Sequence, residues 1–429
     1  MRVLAVLVVL ATSAHADAPR RVSLHEAIDL ALGKNPDLAI ARESVAGANA
    51  HVAGVKAHRF PSLHVDGNGN IYYKPFNIAF GGQSFKVYDQ ETFYSAVTVS
   101  QPLTGLAYLS ELIGAAEHEA NAARDEYDRA RLEVAYRTAE AYLKVLSARA
   151  SADVAHHSVV DIQSGLDRAL QLRAADTYTD IDVLRFRSAK AAADQSALRA
   201  DTARDVALAQ LVVQLGLHDG TPLDVIDDLP PAAPPLAMTL EQAQARALTA
   251  RPELHAAREK IAVAQAQRRA AWAPYFPDIR AVGVWEHTEG QTFLPANTEL
   301  VGLRLSWNVW DWGATHKGVV EAEAAQTRAR LGAEAQLDQI KLEVRRRWLD
   351  AKTAFDSLAA AETQQKTAEE AHRLQQVRFD AGAATTTDVL DAEIDVARAR
   401  LGFADARYDY FLAALALARA VGDLPNPAM

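Results

Sequence analysis

One segment of this chain is written twice. Near the start it reads Ser23-Leu24-His25-Glu26-Ala27, then Asn35-Pro36-Asp37-Leu38-Ala39-Ile40-Ala41-Arg42-Glu43, and then Phe60-Pro61. In the second half it reads Thr239-Leu240-Glu241-Gln242-Ala243, then Arg251-Pro252-Glu253-Leu254-His255-Ala256-Ala257-Arg258-Glu259, and then Phe276-Pro277. The copies keep one register, 216 residues apart, at Pro36 and Pro252, Arg42 and Arg258, and Pro61 and Pro277. That spacing far exceeds the roughly 20–50 residues of a stacked solenoid repeat, so it marks one duplicated half. The fold is therefore expected to carry an internal pseudo-two-fold, with the same elements in the same order in each half.

The first residues set the compartment. Arg2 precedes the apolar run Val3–Leu10, and Ala14-His15-Ala16 gives an A-x-A cleavage pattern before Asp17. This reads as a secretory signal peptide over 1–16, its apolar run too short to cross a bilayer as a helix. The chain has no cysteine, which leaves no site for an N-terminal lipid anchor and assigns stability to packing rather than disulfides. No later stretch reaches the roughly 18 continuous apolar residues of a membrane helix. The mature chain is expected to be periplasmic, secreted, or inserted in the outer membrane as strands. Its net charge of −10 argues against nucleic acid as a partner, and removal of Arg2 makes it one unit more negative.

Each half opens with a short helix whose first residues approach a capping box, Ser23 with Glu26 and Thr239 with Gln242. Pro36 and Pro252 then suit the first turn of a second helix, which stops at Phe60-Pro61 or Phe276-Pro277. Alternating segments follow. Strands are expected near 62–74 and 91–101 in the first half and near 278–287 and 298–308 in the second, each close to the length of a tilted membrane strand. Loops bearing Phe76, Phe80, Phe85 and Tyr88, and later Phe293 and Pro295, are placed between them. Aromatic residues gather at the strand ends: Tyr72, Tyr73, Tyr94, Trp285, Trp307, Trp310 and Trp312. They fit either the aromatic core of a soluble hairpin or a girdle at headgroup level.

Long helical stretches come next, over 105–174 and 180–216, and again over 313–381 and 386–421. The longer ones hold no proline and would reach roughly 100 Å at 1.5 Å per residue. Leu337, Ile340, Val344, Ala351, Ala354 and Leu358 follow steps of three and four. So do Leu390, Ile394, Ala397, Leu401, Ala404, Tyr408, Phe411, Leu415 and Ala418, the spacing of a coiled-coil seam. Breaks at Ala174-Ala175-Asp176-Thr177 and Ala381-Gly382-Ala383-Ala384-Thr385 turn the chain back, Gly382 suiting a helix C-cap. The organisation is thus a signal peptide (1–16), a first repeat (17–218), a semi-rigid proline-rich linker (219–238), a second repeat (239–422) and a short tail (423–429).

Order and motifs together resemble the TolC-type outer-membrane efflux family. The duplicated segment carries the likeness, as do Gly382-Ala383-Ala384-Thr385-Thr386-Thr387-Asp388-Val389-Leu390-Asp391-Ala392, Ala404-Asp405-Ala406-Arg407-Tyr408 and Ala420-Val421-Gly422. Asp182-Val183-Leu184 is a weaker echo in the first half. The resemblance covers essentially the whole mature chain. It implies a mainly α fold with a β-barrel part, a TolC-like α/β barrel whose coiled-coil helices form a periplasmic tunnel. It also implies a homotrimer, each chain giving four strands to a shared twelve-stranded barrel in outer-membrane lipid. Four strands with unpaired edges require such closure. The implied function is the passive exit duct of a tripartite efflux pump or type I secretion system. Its partners would be a periplasmic adaptor, docking at hairpin tips around Ala175, Asp176, Thr177, Gly382, Ala383 and Thr385, and an inner-membrane transporter. A periplasmic coiled-coil adaptor without a pore is the alternative, but the four strand segments speak against it.

No convergent acid, base, nucleophile or phosphate loop stands out, so neither an enzyme nor a cofactor is indicated. The thirteen histidines are scattered; His156-His157 are neighbours that do not share a helix face, and His51 and His58 lack a third ligand. Asp388 and Asp391, spaced i,i+3, share a face. Read alone they suit a solvated helix start. The resemblance implies instead that they line the periplasmic entrance, where crowded carboxylates would attract cations and raise one another's pKa. The chain departs from the family pattern nearby. Phe379 and Ala384 stand where well-known members brace the closed entrance with a tyrosine and an arginine, which shifts the closing role toward packing. The cargo, whether drug, metal ion or protein, is not written in these residues.

Overall fold

The computed structural model describes residues 20–175, 178–218, 220–381 and 383–424. The expected signal peptide, Asp176, Thr177, Gly382 and the end of the tail lie outside the described residues. The chain divides into two compact units. One gathers the segments up to Ala39, Ala130–Arg251 and from Ile340 onward; the other gathers Ile40–Arg129 and Pro252–Gln339.

The first unit is built on helix ends that repeat between the halves. Helix α1 (Leu24–Lys34) and its counterpart α5 (Leu240–Ala250) each begin with a complete capping box. Ser23 and Glu26 exchange bonds of 3.0 and 3.3 Å, and Thr239 and Gln242 bonds of 2.9 and 3.3 Å. In chain order helices α2 (Pro36–Ala57) and α6 (Pro252–Ala270) come next and belong almost entirely to the second unit, each with proline at its first position. The long helices are α3 (Leu106–Ala174) and α4 (Asp180–Gln214) in the first half, α7 (Ala314–Asp380) and α8 (Thr386–Val421) in the second.

Each half closes on a left-handed glycine. Gly216 has φ +70° and lies against the backbone of Lys34 at the end of α1. Gly422 has φ +90° and lies against the backbone of Ala250 at the end of α5. Only glycine fits such a turn at such close approach. Lys34 and Ala250 are themselves 216 residues apart, so the duplication extends to this contact.

The linker contains one element that composition concealed. Its residues Leu223–Val225 form β5, which pairs in parallel with β1 (Arg20–Val22) in the register Arg20↔Leu223 and Val22↔Val225. The buried Tyr142 of α3 fastens this ribbon: its hydroxyl lies 3.0 Å from the Val22 carbonyl and accepts from the Ile226 amide at 3.2 Å. Nearby, Arg251 is buried and bonded to Glu343 at 2.5 Å, and Glu343 in turn meets Arg419, which reaches Glu133 at 2.7 Å. A buried cation of this kind persists only with such partners.

The second unit carries an antiparallel sheet in the order β2 (Ser62–Ile71), β4 (Gln83–Pro102), β6 (Asp278–Gln291), β7 (Asn297–Ser306). The register gives it two unlike faces, because side chains alternate along each strand. Leu63, Val65, Val97, Val99, Trp285, Val301, Leu303 and Leu305 share one face. His64, Asp66, Asn68, Tyr94, Thr98, Ser100, Glu286, Arg280 and Arg304 share the other, together with the apolar Ala96, Val282, Val284 and Leu300. Val301, on the more apolar face, is 91% exposed.

Two expectations are corrected here. The stretch taken as a loop through Phe76, Phe80 and Phe85 is a β-hairpin: β3 (Phe76–Phe80) pairs with the first residues of β4, Ile78 opposite Phe85 and Phe80 opposite Gln83. The turn between them, Gly81 and Gly82 with φ +61° and +82°, supplies the two left-handed residues that a tight hairpin needs. The coiled-coil stripe of α8 also shifts. Tyr408, Phe411, Leu415 and Ala418 are buried, but Ile394 and Leu401 are exposed, and Val389, Glu393, Val396 and Ala399 take the buried face instead. A 3.6-residue helix drifts against a strict heptad, so the buried stripe changes line along its length.

Candidate functional site: the hairpin tips and the acidic cleft

The two turns between long helices are built alike. At the start of α4, the backbone amide of Thr179 donates to Asp182 at 3.1 Å and its hydroxyl does so at 2.6 Å. At the start of α8, the amide and hydroxyl of Thr385 each donate to Asp388 at 2.8 Å, and the Asp388 amide returns a bond to the Thr385 hydroxyl at 3.2 Å. These bonds, led by the Thr385 amide, hold the Asp388 carboxyl below its ordinary range, and the Thr179 hydroxyl acts similarly on Asp182. Asp388 is therefore an ionised helix cap as well as an acidic surface group.

Asp388 and Asp391 do share a face. With Asp395 they line one side of a cleft of about 660 Å³, opposite Gln364, Thr367, Ala371 and Gln375 of α7. Asp395 is paired with Arg398 at 2.9 Å. Of the expected tip residues, Thr385 is the cap, Ala383 donates its amide to the Arg378 carbonyl at 2.8 Å, and Ala175 continues the last turn of α3.

Between the two turns lies a set of bonds that the sequence did not announce. Arg168 of α3 meets Asp380 of α7 at 2.5 Å. Arg185 of α4 donates to the Thr387 hydroxyl at 2.8 Å, and the buried Thr386 hydroxyl donates to Asp182 at 3.0 Å. Tyr178, just before α4, meets Phe379 edge-on, with ring centroids 5.5 Å apart. Phe379 is buried and packs against this tyrosine of the other hairpin. Below the tip, Phe186 of α4 covers Gly165 of α3 inside a cluster with Ile162, Leu166, Ala169 and Val183.

The aromatic residues expected at a membrane interface divide in two. Tyr73, Trp307 and Trp310 are exposed beside strand ends, Tyr72 meets Tyr88 with its ring tilted, and Trp285 lies on the more apolar face. Tyr94 is on the polar face, its hydroxyl 3.4 Å from Glu286. Among the described residues no three His, Asp or Glu side chains form a metal-holding group. His156 instead faces Asp201 at 3.1 Å.

The family model described as outer membrane efflux protein matches residues 27–217 and 244–423, both halves of the duplication. The chain belongs to the outer membrane efflux protein family. The outer membrane protein OprJ of Pseudomonas aeruginosa is 24% identical over 421 residues, covering 93% of this chain and 84% of OprJ. The outer membrane protein TolC of Vibrio cholerae is 30% identical over 139 residues, 32% of this chain and 31% of that one. CusC, solved in a study of folding and transmembrane channel formation, has the same fold, with a TM-score of 0.80 at 18% identity over 93% of this chain and 92% of its own. Membership of the efflux protein family sets aside the reading of a poreless adaptor.

Proposed function

We propose that the chain is the outer-membrane exit duct of a tripartite efflux pump or type I secretion system, acting as a homotrimer. The observation that carries this reading is the sheet of β2, β4, β6 and β7. One of its faces is more apolar than the other, and among the described residues the outer edges of β2 and β7 have no partner. A sheet of that kind suits lipid on one side and water on the other only when its edges are closed by further copies. Three copies give a shared twelve-stranded barrel, with the exposed tyrosines and tryptophans at its rims. The tips of the helical hairpins serve as the periplasmic entrance. There Asp388 and Asp391 of each copy form an acidic constriction that favours cations, and an adaptor linked to an inner-membrane transporter docks outside it.

The test is single-channel conductance of the mature protein in planar bilayers, wild type against the double variant Asp388→Ala/Asp391→Ala, with and without multivalent cations. Block in the wild type alone supports duct and gate together. Equal block in both keeps the duct and removes the two aspartates from the gate. Absence of channels from an inserted trimer speaks against the duct.

A further inference from the structure

A second polar site lies inside the helical contacts. Nε2 of His372 on α7 stands 2.9 Å from a carboxylate oxygen of Glu393 on α8, and their side chains are only 18% and 7% exposed. Glu393 is little more than one helical turn past Asp388, on the same buried face as Val389, Val396 and Ala399. An ionisable pair at such a position must be matched by its neighbours.

Those neighbours can be named from each packed element. On α8, Arg400 bonds Glu369 of α7 at 2.9 Å and lies 3.9 Å from Asp161 of α3. Gln365 of α7 donates to Glu369 at 3.3 Å. His157 of α3 is the further titratable group facing Asp161. Glu393, Asp161 and Glu369 thus confront one permanent cation, Arg400. A protonated His372 supplies the second positive charge, and without it Glu393 and Asp161 repel each other in a half-buried space.

We propose that His372, bonded to Glu393 beside the Arg400–Asp161 pair, is a proton-operated clamp that fastens α8 to α7 and α3 at mildly acidic pH and slackens as the medium turns alkaline. The titration stands on this cluster alone, whereas its effect on flow rests on the exit-duct reading, since α7 and α8 end at the entrance tips. The direction follows from the balance of forces. Burial favours the neutral ring, but the bond to Glu393 outweighs it and raises the imidazole above its ordinary value. A raised histidine contributes its stabilisation fully below the ordinary imidazole range, and that contribution is lost as pH rises through the elevated value.

The experiment uses the full mature protein with labelled histidines. NMR titration should place His372 above the ordinary imidazole range, and Glu393→Gln should bring it down. Amide exchange across residues 389–400, corrected for intrinsic rates, should speed several-fold between about pH 6 and about pH 8. His372→Gln should flatten that change. A His372 that titrates at or below the ordinary value overturns the clamp, and so does an exchange profile unaltered by His372→Gln. In bilayers the wild type should open more readily at the higher pH and the variant should not. Exchange that behaves as expected in a protein forming no channel at any pH upholds the clamp and counts against the exit duct instead.

Discussion

Arg168 and Asp380, 212 residues apart in the chain, meet at 2.5 Å where α3 and α7 approach their turns. Both side chains are about half exposed, so the pair is worth less than about 1 kcal/mol. Arg168→Ala or Asp380→Asn should therefore leave folding intact and shift the balance of entrance states by about two- to fivefold toward open. Open probability in planar bilayers measures this. An unchanged value would take the pair out of the gate.

Gly165 lets Phe186 lie directly on α3. A Cβ placed at Gly165 would stand 2.5 Å from the Phe186 ring, which is 1% exposed. Gly165→Ala should destabilise the hairpin by about 1–3 kcal/mol through overpacking. Adding Phe186→Leu should recover part of that loss, a non-additivity that thermal unfolding of the four proteins would reveal.

The closing glycines of the two halves should respond unequally. Alanine at Gly422 would bring its Cβ to 3.0 Å from the Ala250 backbone, and at Gly216 to 2.5 Å from the Lys34 carbonyl. Both lose the left-handed allowance, costing about 1–2 kcal/mol, and Gly216→Ala should be the more damaging. Melting temperatures in the same detergent give the comparison.

Val301 faces away from the polar side of β7 and is opposite Gly283. Val301→Arg should cost about 2–4 kcal/mol if that face meets the bilayer midplane. Thr98→Arg, on the polar face, should cost far less. The fraction recovered as inserted trimer distinguishes them, and equal losses would contradict the assignment of faces.

Asp388 links the start of α8 to acid sensitivity. Its carboxyl is held low by the Thr385 amide and hydroxyl. A depressed carboxylate stabilises the native state above its unfolded value and loses that contribution as pH falls through the depressed one. Thr385→Ala should raise the Asp388 titration point and weaken the start of α8 by about 0.5–2 kcal/mol. Carbon-detected NMR of the side chain reads the first effect.

Local chemistry was legible in the sequence; distant pairing was not. Ser23 with Glu26 and the prolines at 36 and 252 announce helix starts because their bonds close within one turn. Helix α8 occupies Thr386–Val421, the span its spacing suggested, yet its lower buried face follows Val389 and Val396. A seven-residue repeat cannot say which of two adjacent stripes a helix shares with its own chain. The β3 hairpin carried a readable sign in Gly81-Gly82, obscured by the brevity of Phe76–Phe80. Arg168 with Asp380, Arg185 with Thr387 and His372 with Glu393 follow no local rule. Each pair joins separate helices, and charged residues at such spacings are common on solvated faces.

The bare outer edges of β2 and β7 make this chain's folding a matter of company. A solitary copy offers two open rows of amides and carbonyls, each a template for any extended segment nearby. The helices can zip within one copy, but in the proposed trimer the sheet is finished only by its siblings, so subunit concentration belongs to its folding equilibrium. Slow supply of copies would leave unfinished sheets exposed to chaperones and proteases. Where three copies close the barrel as proposed, the last step of folding is a meeting among three chains.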